Sequence, residues 1–245
     1  MAARKKYCFR SREDVEKFWR AVRDIPARTR RSKRAEERYA LGLYLFARAT
    51  YELIDFPMTV EEDMDGTRSP DFFVTEADAC PVGLEVTRAT TQALQRKMTR
   101  AETSAGSRVT PVDLDDGLLV RESEDLWCRQ IEEAVNKKLA KFNKYRPARS
   151  YDLLVYNDAS SMLWDRERTL GRLRHWLRNT RTSAPLLGKV SIVISLDVIY
   201  DVDGECRTLP FVNLESPEGF PDLGNRVEYA AQKAVRDELH RSGSR

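Results

Sequence analysis

Hydrophobic positions along this chain repeat with two different periods, and the switches between them predict an α/β succession of elements. Val15, Phe18, Trp19 and Val22 recur at helical spacing behind Ser11-Arg12-Glu13-Asp14, which can cap a first helix ending before Pro26. An Ala-, Leu- and Tyr-rich stretch predicts a second helix over 35–48. Aromatic and β-branched runs between turn residues then predict strands over 53–60, 71–75 and 83–89. Residues 123–145 read as a long helix, with Ser123 as N-cap, Glu124 and Asp125 in its first turn and lysines near its C-terminal end. Its apolar stripe is Trp127, Ile131, Val135, Leu139 and Phe142. The run Tyr151-Asp152-Leu153-Leu154-Val155-Tyr156-Asn157 follows as a buried strand.

Residues 90–121 show no clear core signal and are expected to be a long loop. Arg96, Lys97 and Arg100 in it suit either nucleic-acid contact or a mobile insertion, and Asp113, Asp115 and Asp116 suit a solvated patch better than a second cation site. Beyond 157 the pattern predicts a helix over 164–178, a strand over 189–200, a hairpin turn at Asp203-Gly204, a strand over 206–214 and a last helix over 225–239. Arg166, Arg168, Arg172 and Arg174 on the first of these helices either meet a nucleic-acid backbone or solubilise it. The expected organisation is a basic N-terminal helix and loop (1–32), a core (33–157) and a C-terminal α/β extension packed on it (158–245).

At 245 residues the chain can bury a substantial core. Its net charge of +3 decides little, but the first fifty residues hold fifteen Lys or Arg against six Asp or Glu. The densest run, Arg28, Arg30, Arg31, Lys33 and Arg34, lies just before the second helix, where it would hold phosphates or form a solvated basic loop. Cys8, Cys80, Cys128 and Cys206 are scattered without metal-like spacing, which points to a reducing compartment and to no zinc site. With two histidines, neither near a ligand cluster, phosphatase and metalloprotease chemistry is poorly supplied. No apolar run approaches the roughly twenty residues of a membrane span, so a cytoplasmic protein is expected, or a nuclear one in a eukaryote.

Candidate chemistry centres on Ser69-Pro70-Asp71-Phe72-Phe73-Val74 and Gly83-Leu84-Glu85-Val86-Thr87. Adjacent antiparallel strands would bring Asp71 and Glu85 close together. Two such carboxylates repel unless a cation neutralises them, and hard oxygen ligands with room for water suit Mg²⁺. Pro70-Asp71, a spacer, then Glu85-Val86-Thr87 resembles the signature of the PD-(D/E)XK nuclease superfamily. The departure is Thr87, where the usual pattern has lysine.

That resemblance implies a restriction-endonuclease-like core of helix, three strands, helix and strand, matching the predicted order. It implies a metal-dependent nuclease, acting on DNA as an endonuclease, with Asp71, Glu85 and the Val86 carbonyl around Mg²⁺ and with Mn²⁺ able to substitute. Some members supply the lysine from the following helix. Here Lys138 falls in the middle of the apolar stripe, where it either snorkels to solvent or enters the acidic site in place of the lysine missing at Thr87. A further acid is expected from the preceding helix. Glu37, in register with Leu41 and Tyr44, is favoured over Glu36, and first-turn acids also serve the helix dipole. Asp55 is a further candidate for shaping the site. Since double-strand breaks often need two sites, a homodimer or larger complex is an expected partner state. The competing expectations are a catalytically degenerate nucleic-acid-binding or assembly protein on the same fold, a reading raised by Thr87, and a structural interaction subunit.

Overall fold

The computed structural model describes residues 4–23, 32–50, 52–63, 69–77, 79–90, 92–105, 124–145, 148–157, 166–194, 198–201 and 208–209. Its strands are β1 (Arg4–Phe9), β2 (Met58–Asp63), β3 (Phe72–Glu76), β4 (Val82–Arg88), β5 (Tyr151–Asn157), β6 (Leu187–Ile194), β7 (Val198–Asp201) and β8 (Thr208–Leu209). They form one mixed sheet in sequence order. Pairing is antiparallel from β1 to β4, parallel for β4–β5 and β5–β6, and antiparallel again to β8.

Five helices accompany the sheet: α1 (Arg12–Val22), α2 (Lys33–Thr50), α3 (Gln92–Ala105), α4 (Glu124–Phe142) and α5 (Arg166–Ser183). The parallel steps need crossovers, which α3 and α4 supply before β5 and α5 supplies before β6. Two apolar cores result. Trp19, Leu41, Leu43 and Leu45 of α1 and α2 pack with Met58, Val60, Phe72, Leu84, Val86 and Leu154. On the other face, Trp127, Ile131 and Val135 of α4 and Leu173 and Leu177 of α5 pack with Leu153, Val155, Val190 and Ile192. Because strand side chains alternate, β5 feeds both cores, and Leu153, Leu154 and Val155 are all buried. At the α1–α2 crossing a Cβ added to Gly42 would lie 2.5 Å from Val22 Cγ2 and 3.0 Å from Trp19, so glycine sets the closeness of that approach.

The α/β class and the order α2, β2, β3, β4, α4, β5 agree with expectation, as does the α4 stripe, of which Trp127, Ile131, Val135 and Phe142 are buried and Leu139 partly so. Three differences have physical reasons. β1, ahead of α1, was not among the expected elements; it pairs along its whole length with β2, so part of the expected N-terminal helix and loop unit (1–32) belongs to the sheet. β2 lies at 58–63 instead of 53–60: Pro57 cannot donate to a ladder, while Glu61 and Glu62 are accepted as strand residues because cations meet them. Lys6 Nζ lies 3.7 Å from Glu61, and Arg38 Nε reaches both oxygens of the fully buried Glu62 at 3.0 and 3.1 Å. α3 occupies a stretch expected to be loop; among its described side chains Met98 and Glu102 are the buried ones, too sparse for a visible period. The hairpin turn at Asp203-Gly204, the 225–239 helix and the Asp113 patch lie outside the described residues.

Candidate metal and phosphate site

Asp71 immediately precedes β3 and Glu85 lies in the middle of β4. The antiparallel register pairs Phe72 with Leu84, so the next step along brings Asp71 opposite Glu85. Leu84 and Val86 point into the α1–α2 core, which leaves Glu85, on the alternate face, turned toward α4. Both acids are nearly inaccessible, at 6% and 3% exposure. Each is tied to the other's strand: the Asp71 amide donates to Glu85 Oε2 at 3.1 Å, and the Val86 amide donates to Asp71 Oδ2 at 2.9 Å. It is thus the Val86 N–H, not its carbonyl, that the structure links to Asp71.

Lys138 answers the question left by Thr87. Its ammonium donates to Glu85 Oε1 and lies 4.0 Å from Asp71 Oδ2, with its side chain only 12% exposed. It does not snorkel out. The same Glu85 oxygen accepts the Tyr145 hydroxyl at 2.9 Å. Tyr145 sits in the turn after α4, where its amide donates to the Phe142 carbonyl and its ring packs on Phe142 and Tyr151. The sequence reading missed it. Because Tyr145 follows the end of α4, its approach to Glu85 is set by the turn, which no helical period writes into the sequence.

Glu37, on α2, is buried at 3% exposure and completes the acidic group. Lys33 and Arg34, one turn before it, bridge it to Asp71. Lys33 Nζ lies 2.7 Å from Glu37 Oε1 and 4.0 Å from Asp71 Oδ1, and Arg34 donates to Glu37 Oε2 at 3.0 Å and stands 3.8 Å from Asp71 Oδ1. Arg34 also caps the Asp63 carbonyl. These two members of the basic run are therefore turned onto the carboxylates, while Arg28, Arg30 and Arg31 lie outside the described residues. Glu36 belongs elsewhere, paired to Arg88 at 2.7 Å. Asp55 does not shape this site: it is exposed, and its amide bonds Glu76 at the other end of β3.

Burial, followed by the charge of Asp71, pushes the carboxyls of both Glu37 and Glu85 above the ordinary carboxylate range; Lys33 and Arg34 oppose this at Glu37, Lys138 and Tyr145 at Glu85. Burial and the Glu85 charge likewise raise the Tyr145 phenol, so it stays a donor. Burial, more than the charge of the neighbouring acid, is what disfavours ionisation of these two carboxyls.

Among the described residues no group of three or more His, Cys, Asp or Glu stands ready-made as a metal cage. Two oxygens nevertheless fit a hydrated cation. Glu37 Oε1 is buried with only the ammonium of the largely exposed Lys33 against it, at 2.7 Å, and Asp71 Oδ1 has only the longer ion pairs. Mg²⁺ keeps several waters and takes one or two carboxylates, so a full cage is not what it needs. Among the described residues no helix is long and apolar enough to cross a membrane. Compared with known proteins, the chain matches no family model, no curated protein and no solved structure.

Proposed function

We propose that this protein is a metal-dependent nuclease of the PD-(D/E)XK kind, hydrolysing phosphodiester bonds in DNA as an endonuclease. The observation that carries the reading is Lys138 from α4 against Glu85 and near Asp71, an amine supplied where Thr87 offers none. The order α2, β2, β3, β4, α4, β5, with Asp71 and Glu85 on paired antiparallel segments, supports a restriction-endonuclease-like core.

Asp71 and Glu85, with Glu37 and the Val86 carbonyl beside them, would hold Mg²⁺ or, in its place, Mn²⁺. When bound, the ion supplies an acidified water and neutralises charge at the scissile phosphate. Lys138 would orient the attacking water and offset the negative charge that builds on the phosphate oxygens. Its ammonium and the Tyr145 hydroxyl grip one oxygen of Glu85, fixing that carboxylate's rotamer while Oε2 holds the Asp71 amide. Lys33, 77% exposed along its side chain, is placed to exchange Glu37 for an incoming phosphate.

The test is cleavage of plasmid, linear, single-stranded and RNA substrates with Mg²⁺, Mn²⁺ or EDTA. Metal-dependent cutting lost in Asp71→Ala, Glu85→Ala and Lys138→Ala supports the reading; no cutting by wild type under any of these conditions overturns it. One observation favours a second reading: Lys33, Arg34 and Lys138 already supply cations to all three acids. A degenerate nucleic-acid-binding or assembly protein would bind DNA without metal, indifferent to Asp71→Ala.

A further inference from the structure

A cavity of about 610 Å³ opens at the opposite end of β3 and β4 from the carboxylates. Its lining runs from Glu76 and Val82 to Val74 and Leu84, and Leu84, though next to Glu85 in the chain, points to the opposite face of the sheet, so the two sites are set apart by the strand alternation. The cavity volume lies in the range of small-molecule sites. Its apolar lining comes from both sheet faces: Val74 and Val82 pair across β3–β4 with Leu84 on the same side, and Leu187 comes from the other core.

The charged groups in the lining divide into two kinds. Arg48 is committed, paired to Glu76 at 3.2 Å and donating to the Tyr44 hydroxyl and the Leu53 carbonyl. Arg181 donates to the Gly188 carbonyl, and Asp152 accepts the Lys189 amide at 2.8 Å. The side chains of Arg149 and Lys189 are exposed and make no hydrogen bond or ion pair with a described residue. The cavity therefore presents two uncommitted cations beside an apolar wall, with Asp55 as the one acid of the lining whose carboxylate has no such partner.

We propose that this cavity binds an organic phosphate of nucleotide size, with its ring on the Val74–Val82–Leu84 wall and its phosphate held by Arg149 and Lys189. A phosphate monoester near neutral pH carries close to two negative charges, which match the two free cations, and an arginine fork beside a lysine suits phosphate oxygens. A flat ring covers the apolar wall, which a small inorganic anion would leave wet.

Isothermal titration of the full chain tests this with adenosine and cytidine 5′-monophosphate, the parent nucleosides and inorganic phosphate. At least one monophosphate should saturate a single site more tightly than its nucleoside or phosphate alone. Affinity should fall about tenfold or more in Arg149→Ala and Lys189→Ala, further in Lys189→Glu, and stay unchanged in Lys33→Ala, which alters the acidic site. Since neither cation bonds a described residue through its side chain, these variants should melt like wild type. Failure of both monophosphates to saturate overturns the proposal. So does affinity indifferent to Arg149 and Lys189, or lost through Lys33→Ala instead.

Discussion

The amide of Asp71 donates to the carboxylate of Glu85 at 3.1 Å, while the Asp71 carboxylate receives the amide next to Glu85, that of Val86, at 2.9 Å. Position and charge are thereby built together: the bonds that align the two strand segments are those that aim the two acids. An isosteric amide keeps much of this frame and removes the charge. Asp71→Asn and Glu85→Gln should each lower cleavage by about 100-fold or more, with a circular-dichroism melt close to wild type. Full activity in either variant would remove that acid from the chemistry.

Stability should depend on pH through Glu37 and Glu85. Both carboxyls are raised above their ordinary value near 4.5, so the folded protein binds these protons more tightly than the unfolded chain. Their contribution is fully present below about 4.5 and is lost as pH rises through the raised folded values. Glu37→Gln removes one such group. Urea denaturation should show wild type losing stability relative to Glu37→Gln from mildly acidic to neutral pH, with the difference vanishing in acid; parallel profiles would contradict the assignment. Mg²⁺ should narrow the gap at neutral pH if it binds the folded site.

Moving the lysine tests its origin directly. Lys138→Ala should abolish cleavage and cost about 3–5 kcal/mol, since it leaves the buried Glu85 without its cation. Thr87 lies on the same strand face as Glu85, two residues on. Adding Thr87→Lys to Lys138→Ala should restore measurable, metal-dependent cutting. A double variant as dead as the single one, yet folded, would show that the helix position itself is required.

Tyr145→Phe keeps the ring between Phe142 and Tyr151 and deletes one donor to Glu85. The expected cost is about 1.5–3 kcal/mol, the range for a hydrogen bond to a charged group. Cleavage should fall less than in Lys138→Ala, because Tyr145 positions Glu85 and Lys138 acts on the phosphate. Equal losses in the two variants would give Tyr145 a direct role.

Arg38 provides a control away from the chemistry. It holds Glu62, which is fully buried and also accepts the Tyr7 hydroxyl at 3.0 Å; burial and the Glu62 charge push the Tyr7 phenol up to about 12. Arg38→Met should therefore destabilise by about 3–5 kcal/mol, while Arg38→Met/Glu62→Leu should recover most of that loss in a chemical melt. A single variant as stable as wild type would show that the Arg38–Glu62 pair adds nothing to stability.

What the sequence determined by itself was the local part. The α4 stripe, the run 151–157 and the two acids in their short strand-like runs were legible because burial of one face writes a period of 3.6 or 2 into neighbouring residues. Lys138 could be singled out for the same reason, as a charge inside an apolar stripe. Elements whose burial depends on a distant partner were not legible. β1 and the acidic half of β2 are strands because each pairs with the other and because Arg38 neutralises Glu62, 24 residues away. Only the tertiary structure could decide that Lys138 turns onto Glu85 across 53 residues, that Tyr145 joins it, and that Lys33 and Arg34 serve the carboxylates instead of an open basic face. A side chain's charge and shape are local, but the oxygen it meets is set by the register of strands and the docking of helices, which no single segment encodes.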